Sequence, residues 1–224
     1  MHLLTASVLL ITTGLSNGDK TTILRLPSPQ TTKSYVKLQA ATPAMTALTA
    51  CLRAKTAFTG SGNSHFLSYA AGGMDNAFLF AYNRNGAIYS YVFNSNKDTS
   101  VFKVDDGAWH HWCFSWNNRG GKWTVYKDGM PAAAGTGFQT DKTIPANGVW
   151  IVGQDQDRLG GGFDATQAYV GDITSINVWN TDNVNFAAVA NCGDNFGGNV
   201  ISWYDVSKEI HEVSTYRKDL CKLK

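Results

Sequence analysis

The stretch GQDQDRLGGGFDATQ, Gly153 to Gln167, sets three carboxylates, Asp155, Asp157 and Asp164, around the consecutive glycines Gly160 to Gly162. Carboxylates that close repel one another unless something positive stands between them. A calcium ion takes roughly six to eight oxygen ligands from carboxylates, amides and carbonyls, in a flexible geometry. Asp155, Gln156, Asp157, Asp164 and Gln167 supply that menu, and the glycines let the loop fold back on itself. The pattern is not an EF-hand. Counted from Asp155, Leu159 falls where an oxygen ligand belongs and Thr166 where the closing bidentate Glu should stand. Zinc is disfavoured, since the stretch holds no His or Cys.

Other chemistries find less to work with. Sugar hydrolysis needs paired carboxylates, usually with a glutamate acid, but Glu209 and Glu212 are the only glutamates and share one polar C-terminal stretch. There is no GxSxG. His110 and His111 are neighbours on one strand and so face opposite sides, which rules out a shared ligand role. The chain therefore reads as a non-enzyme. Its net charge of +2 comes from scattered Lys and Arg with no basic face, so nucleic acid is not expected as the main ligand.

The opening residues MHLLTASVLLITTGLSNG carry no acid, Lys or Arg, and their apolar run from Leu3 to Leu15 is too short to span a bilayer. Residues 1–18 read as a secretory signal peptide, which leaves 19–224 as one domain. No later apolar run approaches membrane length. Four cysteines in a secreted chain suggest two disulfides, with three connectivities open. The economical pairing joins Cys51 to Cys113 within the core and Cys192 to Cys221 in the tail.

Positioning the acids falls to strands. YVKLQA, HFLSYA, AFLFAY, AIYSYVF, WHHWCFSW, KWTVYKDG, GVWIVGQ and ITSINVWN are rich in aromatic and β-branched residues. Turn clusters such as NRNG, NSNKD, NNRGG and KDGMP separate them, which argues for a β-sandwich. One segment, TDNVNFAAVANCG, reads as a short helix: Thr181 and Asp182 are cap candidates, Val184, Ala187, Ala188 and Asn191 share a face, and Gly193 follows.

HHWCFSW contains His111-x-Cys113-x-Ser115-Trp116, which resembles the signature of the pentraxins; Asn118 stands where that signature usually carries Ser. GQDQD…GGGFDATQAYVGDI…NVWN resembles the family's calcium loop, and FLSYA followed by MDNAFLF resembles its earlier calcium-binding strand region. The resemblance runs from about Tyr35 to the end, and the GQDQD wording and C-terminal cysteines look most like arthropod members. It implies an all-β, flattened two-sheet jelly-roll sandwich of the laminin-G and legume-lectin kind. One short helix would lie on one face and two calcium ions per subunit on the other. The implied ligands are Asp75, Asn76, Asp155, the backbone carbonyl of Gln156, Asp157, Asp164 and Gln167, although family members often have Glu where this chain has Asp155 and Asp164. The implied ligand pocket maps onto Leu79, Ala81 and Tyr91. Phosphocholine-reading members carry an aromatic at the Ala81 position and a glutamate farther along, and neither is present here. The implied role is a secreted, calcium-dependent lectin of innate immunity, acute-phase in character. It would bind phosphate-bearing or carbohydrate ligands on microbial or damaged-cell surfaces, as a cyclic homo-oligomer, pentameric or larger. The alternative is a laminin-G-like adhesion domain for protein or sulfated glycan.

Overall fold

Apolar alternation at a period of two builds this molecule, because each strand can bury one face and leave the other for covering elements. The computed structural model describes residues 20–60, 62–101, 103–192 and 197–219. They form two seven-stranded antiparallel sheets. The first runs β10 (Met130–Gly135), β9 (Lys122–Lys127), β8 (His110–Asn117), β3 (Ala47–Lys55), β12 (Gly171–Trp179), β1 (Lys20–Leu26), β14 (Ser214–Asp219). The second runs β13 (Ser207–His211), β2 (Tyr35–Gln39), β11 (Val149–Val152), β4 (Ser64–Ala71), β5 (Met74–Tyr82), β6 (Ile88–Val92), β7 (Ser95–Val101).

The sheets close on a core that includes Phe66, Phe78, Phe80, Trp112, Phe114, Trp116 and Trp150. Buried indoles need acceptors. Trp116 Nε1 donates to the Phe138 carbonyl at 2.8 Å and Trp150 Nε1 to Thr42 Oγ1 at 2.8 Å. Every strand expected from the aromatic and β-branched runs is present, and the two-sheet sandwich is as expected. NSNKD is not a separator. Its turn is confined to Phe93 and Asn94, both at positive φ, and Ser95 already begins β7. The polar C-terminal stretch forms two edge strands, β13 and β14, which pair with β2 and β1.

Cys51 and Cys113 are a directly opposed pair of β3 and β8, and they are bonded to each other. A short helix, α1 (Phe186–Ala190), packs over this bond on the outer face of the first sheet. Phe186 stacks on Tyr126 with ring centroids 3.6 Å apart, and Arg53 donates to the Ala190 carbonyl. The helix starts later than the sequence suggests. Asn185 caps it by accepting from Ala188 N, while Asp182 receives the side-chain amide of Asn117 and Thr181 Oγ1 receives Asn183 N. Asn191 closes it. Gly193, Cys221 and residues 1–18 lie outside the described residues, and with them the Cys192–Cys221 pairing and the signal peptide.

The disulfide closes a separation of 62 residues. Replacing both cysteines by alanine should cost about 4 kcal/mol on the chain-entropy model. Urea unfolding should show an earlier midpoint with an unchanged far-ultraviolet circular dichroism spectrum.

Candidate metal centre

The acids gather on the outer face of the second sheet, away from the helix. Gly153 to Ala168 cross this face, and one amide fastens the segment down. Gln156 Nε2 donates to Ser68 Oγ on β4 and to the Val149 carbonyl on β11, both at 3.0 Å, and its Oε1 accepts Gly160 N at 2.8 Å. The side chain is thus fully used, and the backbone carbonyl is the group Gln156 has left to offer.

Beyond it the chain doubles back. Arg158 N donates to the Gly161 carbonyl at 3.2 Å and Gly161 N to the Arg158 carbonyl at 2.9 Å, which leaves Leu159 and Gly160 at the tip of a hairpin. Gly160 (φ +73°) and Gly162 (φ +79°) take left-handed conformations open to glycine at little cost. A Cβ on Gly162 would stand 3.0 Å from that of Asp157. The glycines therefore set where Asp157 and Asp164 lie, rather than merely loosening the loop. Asp164 Oδ1 caps the 3₁₀ turn Ala165–Gln167 by accepting Thr166 N and Thr166 Oγ1, each at 2.9 Å. From the strand side, Asp75 Oδ1 and Asn94 Oδ1 both accept Asn76 N at 3.0 Å, which orients the start of β5.

Asp75, Asp155, Asp157 and Asp164 lie close enough to feel one another's charge, and His65 stands between Asp155 and the Gln167 carbonyl. Three of the seven residues singled out in the sequence hold a buried side-chain oxygen without a hydrogen-bond partner: Asn76 Oδ1, Asp155 Oδ1 and Gln167 Oε1. A buried polar atom without a partner is costly, and a bound cation would relieve that cost at each of the three. Asp155 is 6% exposed. Burial, then the charges of Asp157 and Asp75, push its carboxyl up to about 7 despite a hydrogen bond from the Gln156 backbone N–H. Burial and the charges of Asp75 and Asp164 raise Asp157. Among the described residues no Lys or Arg pairs with any of these four aspartates.

His65 Nε2 stands 3.6 Å from Asp155 Oδ2, but burial lowers the imidazole to about 4, so it is neutral at physiological pH and supplies no charge. An all-oxygen, anionic donor set without a protein cation fits a hard divalent ion, and Ca²⁺ above all. A soft metal finds no home. The single trio of His, Cys or acid ligand atoms within 4.8 Å of one another, among the described residues, is Cys51, His111 and Cys113, and its sulfurs are bonded to each other.

The expected ligand pocket looks different in place. Leu79 is 1% and Ala81 0% exposed, so of the three residues only the partly buried Tyr91 reaches solvent. They are covered on the outer face in a small cluster with Tyr89. Sequence reasoning missed His65, Ser68, Tyr89 and Asn94, whose parts depend on pairings across strands that no local spacing announces.

The profile of the Pentaxin family matches residues 23–217. Human neuronal pentraxin-1 is 34% identical over 202 residues, covering 88% of this chain and 46% of that protein. Mouse neuronal pentraxin-2 is 34% identical over 180 residues, covering 79% and 41%. The chain thus spans less than half the length of these curated relatives. Among solved structures, the heptameric SAP-like pentraxin of Limulus polyphemus superposes with a TM-score of 0.79 at 27% identity, covering 91% of this chain and 98% of that one. Mouse laminin α1 domains LG4-5 share the fold at a TM-score of 0.54 and 14% identity, over 88% and 47%.

Asp155 supplies a pH test. Its folded pKa of about 7 lies above the ordinary 3.8, so its ionised form is the disfavoured one. Its favourable contribution is whole below about 3.8 and is lost as pH rises through about 7. In chelator the protein should melt at least a few degrees lower at pH 8 than at pH 5. Asp155→Asn should flatten that difference, and Ca²⁺ should restore stability at pH 8. Calorimetric melting curves decide it.

Proposed function

The chain belongs to the pentraxin family, and from that premise we propose that it is a secreted, calcium-dependent pattern-recognition lectin of innate immunity. Pentraxins are non-enzymatic, they typically bind calcium, and homologues are secreted. The observation that carries the reading is the trio of buried, unpartnered oxygens on Asn76, Asp155 and Gln167 beside the carboxylates of Asp75, Asp157 and Asp164.

In this reading Asp75, Asn76, Asp155, the Gln156 carbonyl, Asp157, Asp164 and Gln167 hold two Ca²⁺ per subunit. Four aspartates against two dications come near neutrality, and such ions, once bound, supply open coordination positions for an anionic oxygen. The protein's own part is to keep the ligands together. Gln156 anchors the loop, Asn94 orients Asn76, and the 3₁₀ turn carries Asp164 and Gln167 at its two ends. Burial of Leu79 and Ala81 leaves no open apolar pocket at those positions. That favours ligands recognised through their anion, such as phosphoethanolamine or acidic glycans on microbial or damaged-cell surfaces, over phosphocholine, which is read by an aromatic face.

The same reading takes residues 1–18 as a leader lost on secretion, and 19–224 as the pentraxin domain. It includes a cyclic homo-oligomer, supported by the heptameric Limulus relative. A closed ring would set many weak sites on one side and convert them to tight surface binding.

Retention on immobilised phosphoethanolamine and on a sialylated glycan should require roughly millimolar Ca²⁺. Asp157→Ala should abolish retention while leaving the melting temperature in chelator unchanged. Retention undiminished by excess chelator would overturn the reading.

A further inference from the structure

Across the outer face of the second sheet one row runs through three strands. His65 on β4 pairs with Ala81 on β5, and Ala81 pairs with Tyr89 on β6. The middle side chain is a methyl group, so the two rings reach over it and meet edge to face, with centroids 6.0 Å apart and planes at 88°. Both are buried, and Ala81 and Leu79 are sealed in the same layer.

The hydrogen bonds fix the chemistry of this pair. His65 Nδ1 lies 2.8 Å from the Gln167 carbonyl, which can only accept, so Nδ1 carries the proton. An imidazole with its proton on Nδ1 accepts at Nε2, and Tyr89 Oη lies 2.7 Å from that nitrogen. The relay thus runs one way, from the Tyr89 hydroxyl through the imidazole to the main chain at Gln167. That carbonyl ends the 3₁₀ turn that begins at Asp164, while the Gln167 side-chain oxygen is buried without a partner. A bridge between His65 and Ala168 continues the attachment, and Gln30 Nε2 holds the Ala168 carbonyl from the other side at 2.6 Å.

We infer that His65 and Tyr89 are positioning residues for the calcium site: they lock the Asp164–Gln167 turn to the sheet so that its two ligands face Asp75, Asn76 and Asp155. The inference rests on the calcium reading above and deepens it. Neither residue is a ligand in this account. The imidazole works through the Gln167 main chain, and Tyr89 works through the imidazole. Groups of this kind behind metal ligands typically change affinity by about ten- to a hundredfold when removed.

Calcium affinity is measured by calorimetric titration of the intact protein, with melting in chelator as the second readout. His65→Leu, which fills the space but cannot donate, should weaken Ca²⁺ by about tenfold or more, and Tyr89→Phe by about tenfold. His65→Asn places an amide donor near the Nδ1 position and should stay within about threefold of the parent. In chelator Tyr89→Phe and His65→Asn should melt within about two degrees of it, while His65→Leu, which leaves the Tyr89 hydroxyl and the Gln167 carbonyl unpaired, should melt a few degrees lower. Parental calcium affinity in both His65→Leu and Tyr89→Phe would overturn the inference. So would parallel losses of affinity and chelator-state stability that His65→Asn fails to rescue, because that is the mark of ordinary packing. A parent protein that takes up no Ca²⁺ would instead overturn the calcium reading itself, and is seen before any variant is made.

Discussion

Four aspartates share one face of a sheet, and none of them is paired with a lysine or arginine among the described residues. Their mutual repulsion is the constraint the surrounding structure has to meet. A solvated surface loop would relax it by letting the acids drift apart. Here drift is resisted from several sides: the Gln156 amide ties the loop to β4 and β11, the glycine hairpin fixes the return path, and the 3₁₀ turn is pinned at both ends. Asp155 is the one of the four that is buried, while Asp157 and Asp164 face solvent beside it, so the repulsion falls most heavily on a carboxylate that water reaches least.

That arrangement depends on a platform that does not yield. The second sheet owes its rigidity to the ring-filled core against the first, and the first is cross-linked by Cys51–Cys113 and covered by α1. The two outer faces divide the labour. One carries the disulfide and the helix and is occupied by structure. The other carries the loop and the acids. His111 illustrates the division, since it lies beside the disulfide, where burial lowers its pKa to about 3.

Much of this was legible in the residues alone. Aromatic and β-branched runs mark the strands because each must cover half a core, and the clustered aspartates Asp155, Asp157 and Asp164 mark the loop that crosses the second sheet. What escaped is what needs a partner far along the chain. β13 and β14 are polar because they are edge strands with little to bury, so no apolar alternation announces them. The helix cap slipped to Asn185 because Asp182 is drawn off by Asn117, a contact spanning 65 residues. His65 and Gln167, 102 residues apart, are brought together only by the sheet order. Leu79 and Ala81 read as a pocket until the register closes His65 and Tyr89 over them.

Gln156 carries an implication for how such a molecule can diverge. Its side chain donates twice and accepts once at the same moment. A carboxylate of equal length could not donate, an ammonium could not accept, and asparagine would fall short by a methylene. Mutational drift through this loop therefore has one nearly immovable point, with freedom increasing away from it towards the hairpin tip, where Leu159 is 64% exposed. New binding preferences can be explored by lineages at the tip and around the rim, while the carbonyl at the anchor is inherited unchanged.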